Sequence, residues 1–214
     1  MKLSPRRTFL KATAVIAAGL PEENLLAQSN PAIDPAISII GPKEGYSPQI
    51  GTLVSMMTWM RMVVLMSVRG MTQTELDYLQ DNKANTIGAL LLHLAATDTY
   101  YRLHTFEGKA WGSWDDGVKQ KWDVAMNLGE PARKAIKGHN LDYYLNILKE
   151  TREKTLSEFR KRDDNWLLSV DKAWPWGPTN NYCKWFHVCE HESNHNGQIK
   201  FLKSRLPGAK PDNG

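Results

Sequence analysis

The chain has 214 residues, a formal net charge of +4, eight Trp, eight Met and only two Cys. That length fits one domain with a full hydrophobic core plus a terminal extension. Four positive residues (Lys2, Arg6, Arg7, Lys11) and two negative ones (Glu22, Glu23) fall in residues 1–27, so the remainder carries only +2, which excludes the basic footprint of a nucleic-acid binder.

Ser4-Pro5-Arg6-Arg7-Thr8-Phe9-Leu10-Lys11 resembles a twin-arginine export signal. An apolar run from Ala12 to Leu20 follows, too short to span a bilayer, and Ala27 offers a small residue for cleavage before Gln28. Pro5 and Pro21-Glu22-Glu23 depart from the usual pattern. Residues 1–27 are therefore predicted to be a signal peptide, and the mature protein to be periplasmic or otherwise extracytoplasmic. Residues 28–47 read as a Pro-rich linker.

From 48 to 69, Leu53, Met56, Met57, Met60, Val63 and Val64 recur at helical spacing, and Gly70 is a stop. The run is apolar enough to raise a membrane span. Arg61 at its middle and the 3-4 spacing predict a bundle helix instead, with no stable membrane span. A second helix is predicted over about 84–106, with Thr86, Leu90, His93, Thr97, Tyr100 and His104 on one face. His93 sits in Leu90-Leu91-Leu92-His93-Leu94, where a buried imidazole needs a partner. His104 is about 16 Å further along the axis and cannot share an ion with His93.

A short amphipathic helix is predicted over Asp115–Leu128, with a further turn before Gly138. Asn140 is a good N-cap for a third long helix reaching about Lys161, with Leu145, Leu148, Arg152, Thr155 and Phe159 among its spaced positions. Trp174-Pro175-Trp176-Gly177 reads as a rigid aromatic loop. Period-2 alternation is absent, so no strand is predicted. The fourth long helix, about 180–206, ends at Pro207-Gly208, and 207–214 reads as a flexible tail.

That last helix carries His187, His191 and His195 at four-residue spacing. His191 and His195 lie about 40° apart and one turn apart, so their imidazoles can grip one ion. His187 is about 12 Å from His195 and cannot join the same ion. The stripe Val188, His191, His195, Gln198, Leu202 is read as the inward face. Another element must complete the site, and His93 is the best candidate. Three imidazoles around a divalent ion leave positions open, as in a catalytic rather than a structural site; Zn²⁺ suits such a set, and Ni, Mn or Fe also fit.

His191-Glu192-Ser193-Asn194-His195 is also a formal H-E-x-x-H match, with Glu192 as a general base. Against a zinc peptidase, Gln198 and Phe201 stand where a Gly and a third His are required, and no Glu or His follows His195. On the bundle reading Glu192 lies about 100° round the helix from His191, which predicts a surface or rim position. Cys183 and Cys189 point to different sides of this helix and cannot bridge each other.

Asn85-Thr86-Ile87-Gly88-Ala89-Leu90-Leu91-Leu92-His93-Leu94, with His187-x-x-x-His191-x-x-x-His195-Asn196-Gly197-Gln198-Ile199, resembles the DinB/YfiT-like family over about 48–206. The resemblance implies a divalent metal held by His93, His191 and His195, with His187 matching a histidine that is usually not a ligand. Asn196 stands where the family often has arginine. It also implies a small-molecule substrate, thiol-dependent chemistry and a homodimer to which exposed apolar positions on the first helix would contribute. The expected fold is an all-α four-helix bundle with a short extra helix between helices 2 and 3. The expected function is that of an exported metal-dependent enzyme, of hydrolase or thiol-transferase type. No residue is assigned a catalytic role. A non-catalytic metal-binding or structural bundle stays open, with the H-E-x-x-H peptidase behind it.

Overall fold

Each of the four apolar-periodic segments is a helix in the computed structural model, which describes residues 35–210. The elements run α1 (Pro48–Val68), α2 (Gln73–Leu76), α3 (Ile87–Thr105), α4 (Asp116–Asn127), α5 (Gly129–Ala135), α6 (Leu141–Phe159), α7 (Asp164–Leu168), the strands β1 (Val170–Asp171) and β2 (Thr179–Asn180), and α8 (Asn181–Lys203). The long helices α1, α3, α6 and α8 form the expected all-α bundle: α1 lies along α8, and α3 packs on α6, α4 and α8. The twin-arginine reading falls outside the described residues.

The connections are richer than the sequence predicted. The short helix expected between α3 and α6 is α4, the further turn before Gly138 is the helix α5, and one-turn helices α2 and α7 sit in the other two connections. The antiparallel β1–β2 pair is two residues per strand, too short for alternation to register in the sequence.

Local chemistry sets the helix starts. Thr86 Oγ1 accepts from Ala89 N at 3.1 Å, Asn140 Oδ1 from Tyr143 N at 3.1 Å and Asn180 Oδ1 from Cys183 N at 2.8 Å. The N-terminus of α1 is capped from elsewhere: Asp164 of α7 accepts from Ser47 Oγ at 2.5 Å, Gln49 N at 3.1 Å and Ile50 N at 3.2 Å. Burial would raise the Asp164 carboxyl pKa, but these donors outweigh it and hold it below its ordinary value. A depressed carboxylate stabilises the fold above its unfolded value and loses that contribution as pH falls through the folded one. Asp164→Ala is expected to cost about 1 kcal/mol, lowering Tm by about 2–4 °C, with the deficit shrinking in melts run at acid pH.

The stretch read as a linker is seated on α1 in its described part. Gly41 N donates to Ser55 Oγ at 3.1 Å, and a Cβ at Gly51 would lie 2.4 Å from the Lys43 backbone nitrogen. Gly88 is the second close approach: a Cβ there would stand 2.6 Å from the Tyr144 hydroxyl oxygen, on a ring that is fully buried. Gly88→Ala overpacks the α3–α6 seam and is expected to cost about 1–3 kcal/mol, read in denaturant unfolding.

By length and composition α1 is apolar enough to cross a membrane. Its Ile50, Leu53, Val54, Met57, Val64 and Val68 are buried within the bundle, as for a core helix.

Candidate metal centre

α3 and α8 run side by side and bring three imidazoles together across 98 residues of sequence. His93 Nε2 lies 2.9 Å from His191 Nε2, and His195 Nε2 lies 2.8 Å from the same atom. The three ligand-capable nitrogens all fall within 4.8 Å of one another. His93 and His195 are buried and His191 is partly exposed, so the cluster opens on one side.

The outer nitrogens settle which atoms carry hydrogen. The Ala125 carbonyl can only accept, so His93 Nδ1–H donates to it at 3.0 Å. His195 Nδ1 faces Gln198 Oε1 at 3.1 Å, while Gln198 Nε2 donates to Asn194 Oδ1 at 3.1 Å, so His195 Nδ1 is the donor there. With Nδ1 protonated on both neutral rings, their Nε2 atoms present lone pairs. His191 Nε2 can supply at most one hydrogen, to one neighbour. At least one of the two short contacts therefore has no hydrogen between its nitrogens, which a cation between the three nitrogens would resolve. The donor set fits a divalent ion: three imidazoles, two with outer hydrogen bonds that fix ring and tautomer.

Electrostatics favour the same state. Burial first, then the nearby His195, pushes the His93 imidazole down to about 4. Burial and then His195, His93 and His187 push His191 down to about 3, and burial lowers His195 too. All three rings are neutral, as metal ligands must be, around pH 7.

The other histidines go elsewhere. His187 bonds Glu190 Oε1 at 2.7 Å through Nδ1, and its ring stands 4.9 Å from that of the exposed Trp176. His104 donates from Nδ1 to the Lys109 carbonyl at 2.8 Å and accepts at Nε2 from the buried Lys184 at 2.9 Å, which also pairs with Asp171 at 2.7 Å. Trp174 and Trp185 belong to the core. Cys183 is exposed, Cys189 is buried, and both are free thiols.

Glu192 departs from the rim position expected of it. It is 2 % exposed, and its Oε1 accepts from Arg61 Nη2 at 2.6 Å, Arg61 Nε at 3.2 Å and Arg152 Nη2 at 2.5 Å. Arg152 Nε also donates to Asp98 Oδ2 at 2.8 Å, and Thr155 donates to Asp98 Oδ1. The two carboxylates stand on the histidine-bearing helices α3 and α8, and the two guanidiniums on α1 and α6. Buried at 2 % exposure, with its Oε1 taken up by two guanidiniums, Glu192 is not placed to meet a peptide as the general base of a peptidase. Sequence reasoning missed this cluster although its signal was visible: Arg61 within an apolar run and Arg152 within an apolar stripe each required a buried acid.

A helical bundle in which two long helices converge three imidazoles defines a class of candidate metalloprotein. A model of the mycothiol S-transferase family matches residues 52–208, and the chain belongs to that DinB/YfiT-like family. None of the curated proteins matches the chain.

Proposed function

We propose that this protein is an exported, divalent-metal-dependent thiol S-transferase with His93, His191 and His195 as the ligands. The carrying observation is the convergence of three Nε2 atoms that share at most one hydrogen; membership of the mycothiol S-transferase family supplies the reaction class. When bound, the metal supplies Lewis acidity, holding a thiol as thiolate or lowering the pKa of water. The chain contributes the fixed donors: Ala125 and Gln198 hold the rings of His93 and His195, and the partly exposed His191 marks the side open to a small-molecule substrate. The twin-arginine pattern supports export of the folded chain.

The same site also serves hydrolysis, because water and thiol are activated alike. The test incubates metal-loaded protein with a cofactor thiol and monobromobimane, then repeats it with an ester panel and no thiol. Thiol adduct formed above the uncatalysed rate, and lost in His191→Ala, is expected. Ester cleavage without adduct would make the protein a hydrolase. Neither reaction with metal bound would leave a non-catalytic metal-binding bundle.

A further inference from the structure

Arg152 reaches every long helix of the bundle through one guanidinium. From α6 its Nη1 donates to the Met57 carbonyl of α1 at 3.2 Å, its Nε to Asp98 of α3 at 2.8 Å, and its Nη2 to Glu192 of α8 at 2.5 Å. The side chain is buried. Burial by itself would lower its pKa, but the carboxylates of Glu192 and Asp98 outweigh this and raise it, so the fork stays charged.

The placement of the two carboxylates matters. Glu192 directly follows His191 and precedes His195 by three residues; Asp98 follows His93 by five. The guanidinium therefore bridges the two helices that bear the imidazoles, little more than a turn from them. Its planar fork fixes both the separation of α3 and α8 and the rotation of α8 about its axis. Rotation needs such a device: the buried stripe of α8 runs through Val188, Glu192, His195 and Ile199, and leaves His191 at its edge. Buried ionic clusters add little stability over apolar packing and are best attested as devices that fix registry.

We propose that Arg152 is a positioning residue for the three-histidine centre, acting through Asp98 and Glu192 to set where the ligand nitrogens of α3 and α8 meet. This rests on the metal reading above. The predicted consequence is a loss of metal affinity when the fork is removed and the charge is kept.

The test titrates Co²⁺ into the full chain and into Arg152→Lys, Glu192→Gln and Gly88→Ala, recording affinity and the visible absorption of the bound ion. Arg152→Lys and Glu192→Gln are expected to bind about 10–100-fold more weakly with altered absorption bands. Gly88→Ala disturbs the α3–α6 seam without touching the cluster, and is expected to keep the parent affinity and spectrum. If one of the first two variants does not fold, the other carries the test. Parent-like affinity and spectrum in the folded cluster variants would overturn the proposal, as would equal losses in Gly88→Ala. If the parent chain binds no Co²⁺, the metal reading itself falls.

Discussion

His93→Ala is expected to release the metal, although 98 residues separate His93 from His191. The two histidines left on α8 form only an i,i+4 pair, and the vacated side of the cluster faces apolar α3. The loss should exceed the about 10–100-fold weakening that follows removal of an outer partner. Gln198→Ala provides that smaller step, because it deletes the acceptor of His195 Nδ1–H and leaves all three imidazoles in place. His187→Ala should leave affinity unchanged, since that ring is engaged with Glu190 and Trp176. Competition titrations against a chromophoric chelator rank the variants: His93→Ala weakest, Gln198→Ala intermediate, His187→Ala level with the parent. An unaltered affinity in His93→Ala would place the ligands elsewhere.

Arg152→Met is expected to be the most destabilising single change outside the apolar core. It leaves Asp98, 0 % exposed, and Glu192, 2 % exposed, with fewer donors in a dry interior. Breaking a buried pair from one side costs about 3–5 kcal/mol, chiefly the desolvation of the charge left behind, or a Tm fall of about 6–20 °C in a chain of this size. Removing charge from both sides should cost less than the parts suggest. Arg152→Met combined with Glu192→Met should therefore be less destabilised than the summed single variants. Denaturant melts of the double-mutant cycle check this; additive losses would show that the two side chains do not interact.

The fold and the three histidines were legible because both rest on local patterns. Apolar spacing marked all four long helices, and Thr86, Asn140 and Asn180 cap three of them. The i,i+4 pair on α8 and a histidine among leucines on α3 are short-range signatures of an inward-facing imidazole. The sequence reading of α8 nevertheless placed its inward stripe through His191 and Gln198. The buried stripe passes instead through Val188, Glu192, His195 and Ile199, with Gln198 exposed. The error came from reading a charge as a surface residue. The arginines that compensate Glu192 lie 131 and 40 residues away, on α1 and α6, so no window along α8 contains them. The Asp164 cap of α1 escaped for the same reason, since its acceptor lies 115 residues from Gln49.

These long-range contacts assign the charged residues a common place in the bundle. Arg61, in an apolar helix that by composition alone passes for a membrane span, donates to Glu192 and to the Leu148 carbonyl at 2.8 Å. The H-E-x-x-H match at 191–195 likewise has a structural meaning. Its histidines face the centre, and its glutamate faces the arginines that hold α8 in register.

Elemental analysis of the purified chain, beside its His191→Ala variant, tests the central claim most directly. The account predicts about one equivalent of a divalent transition metal per chain, lost in a variant that remains folded. Folded parent protein that holds no metal after being offered Zn²⁺, Ni²⁺, Mn²⁺ and Fe²⁺ would contradict it, and would leave the three converging imidazoles as a structural cluster.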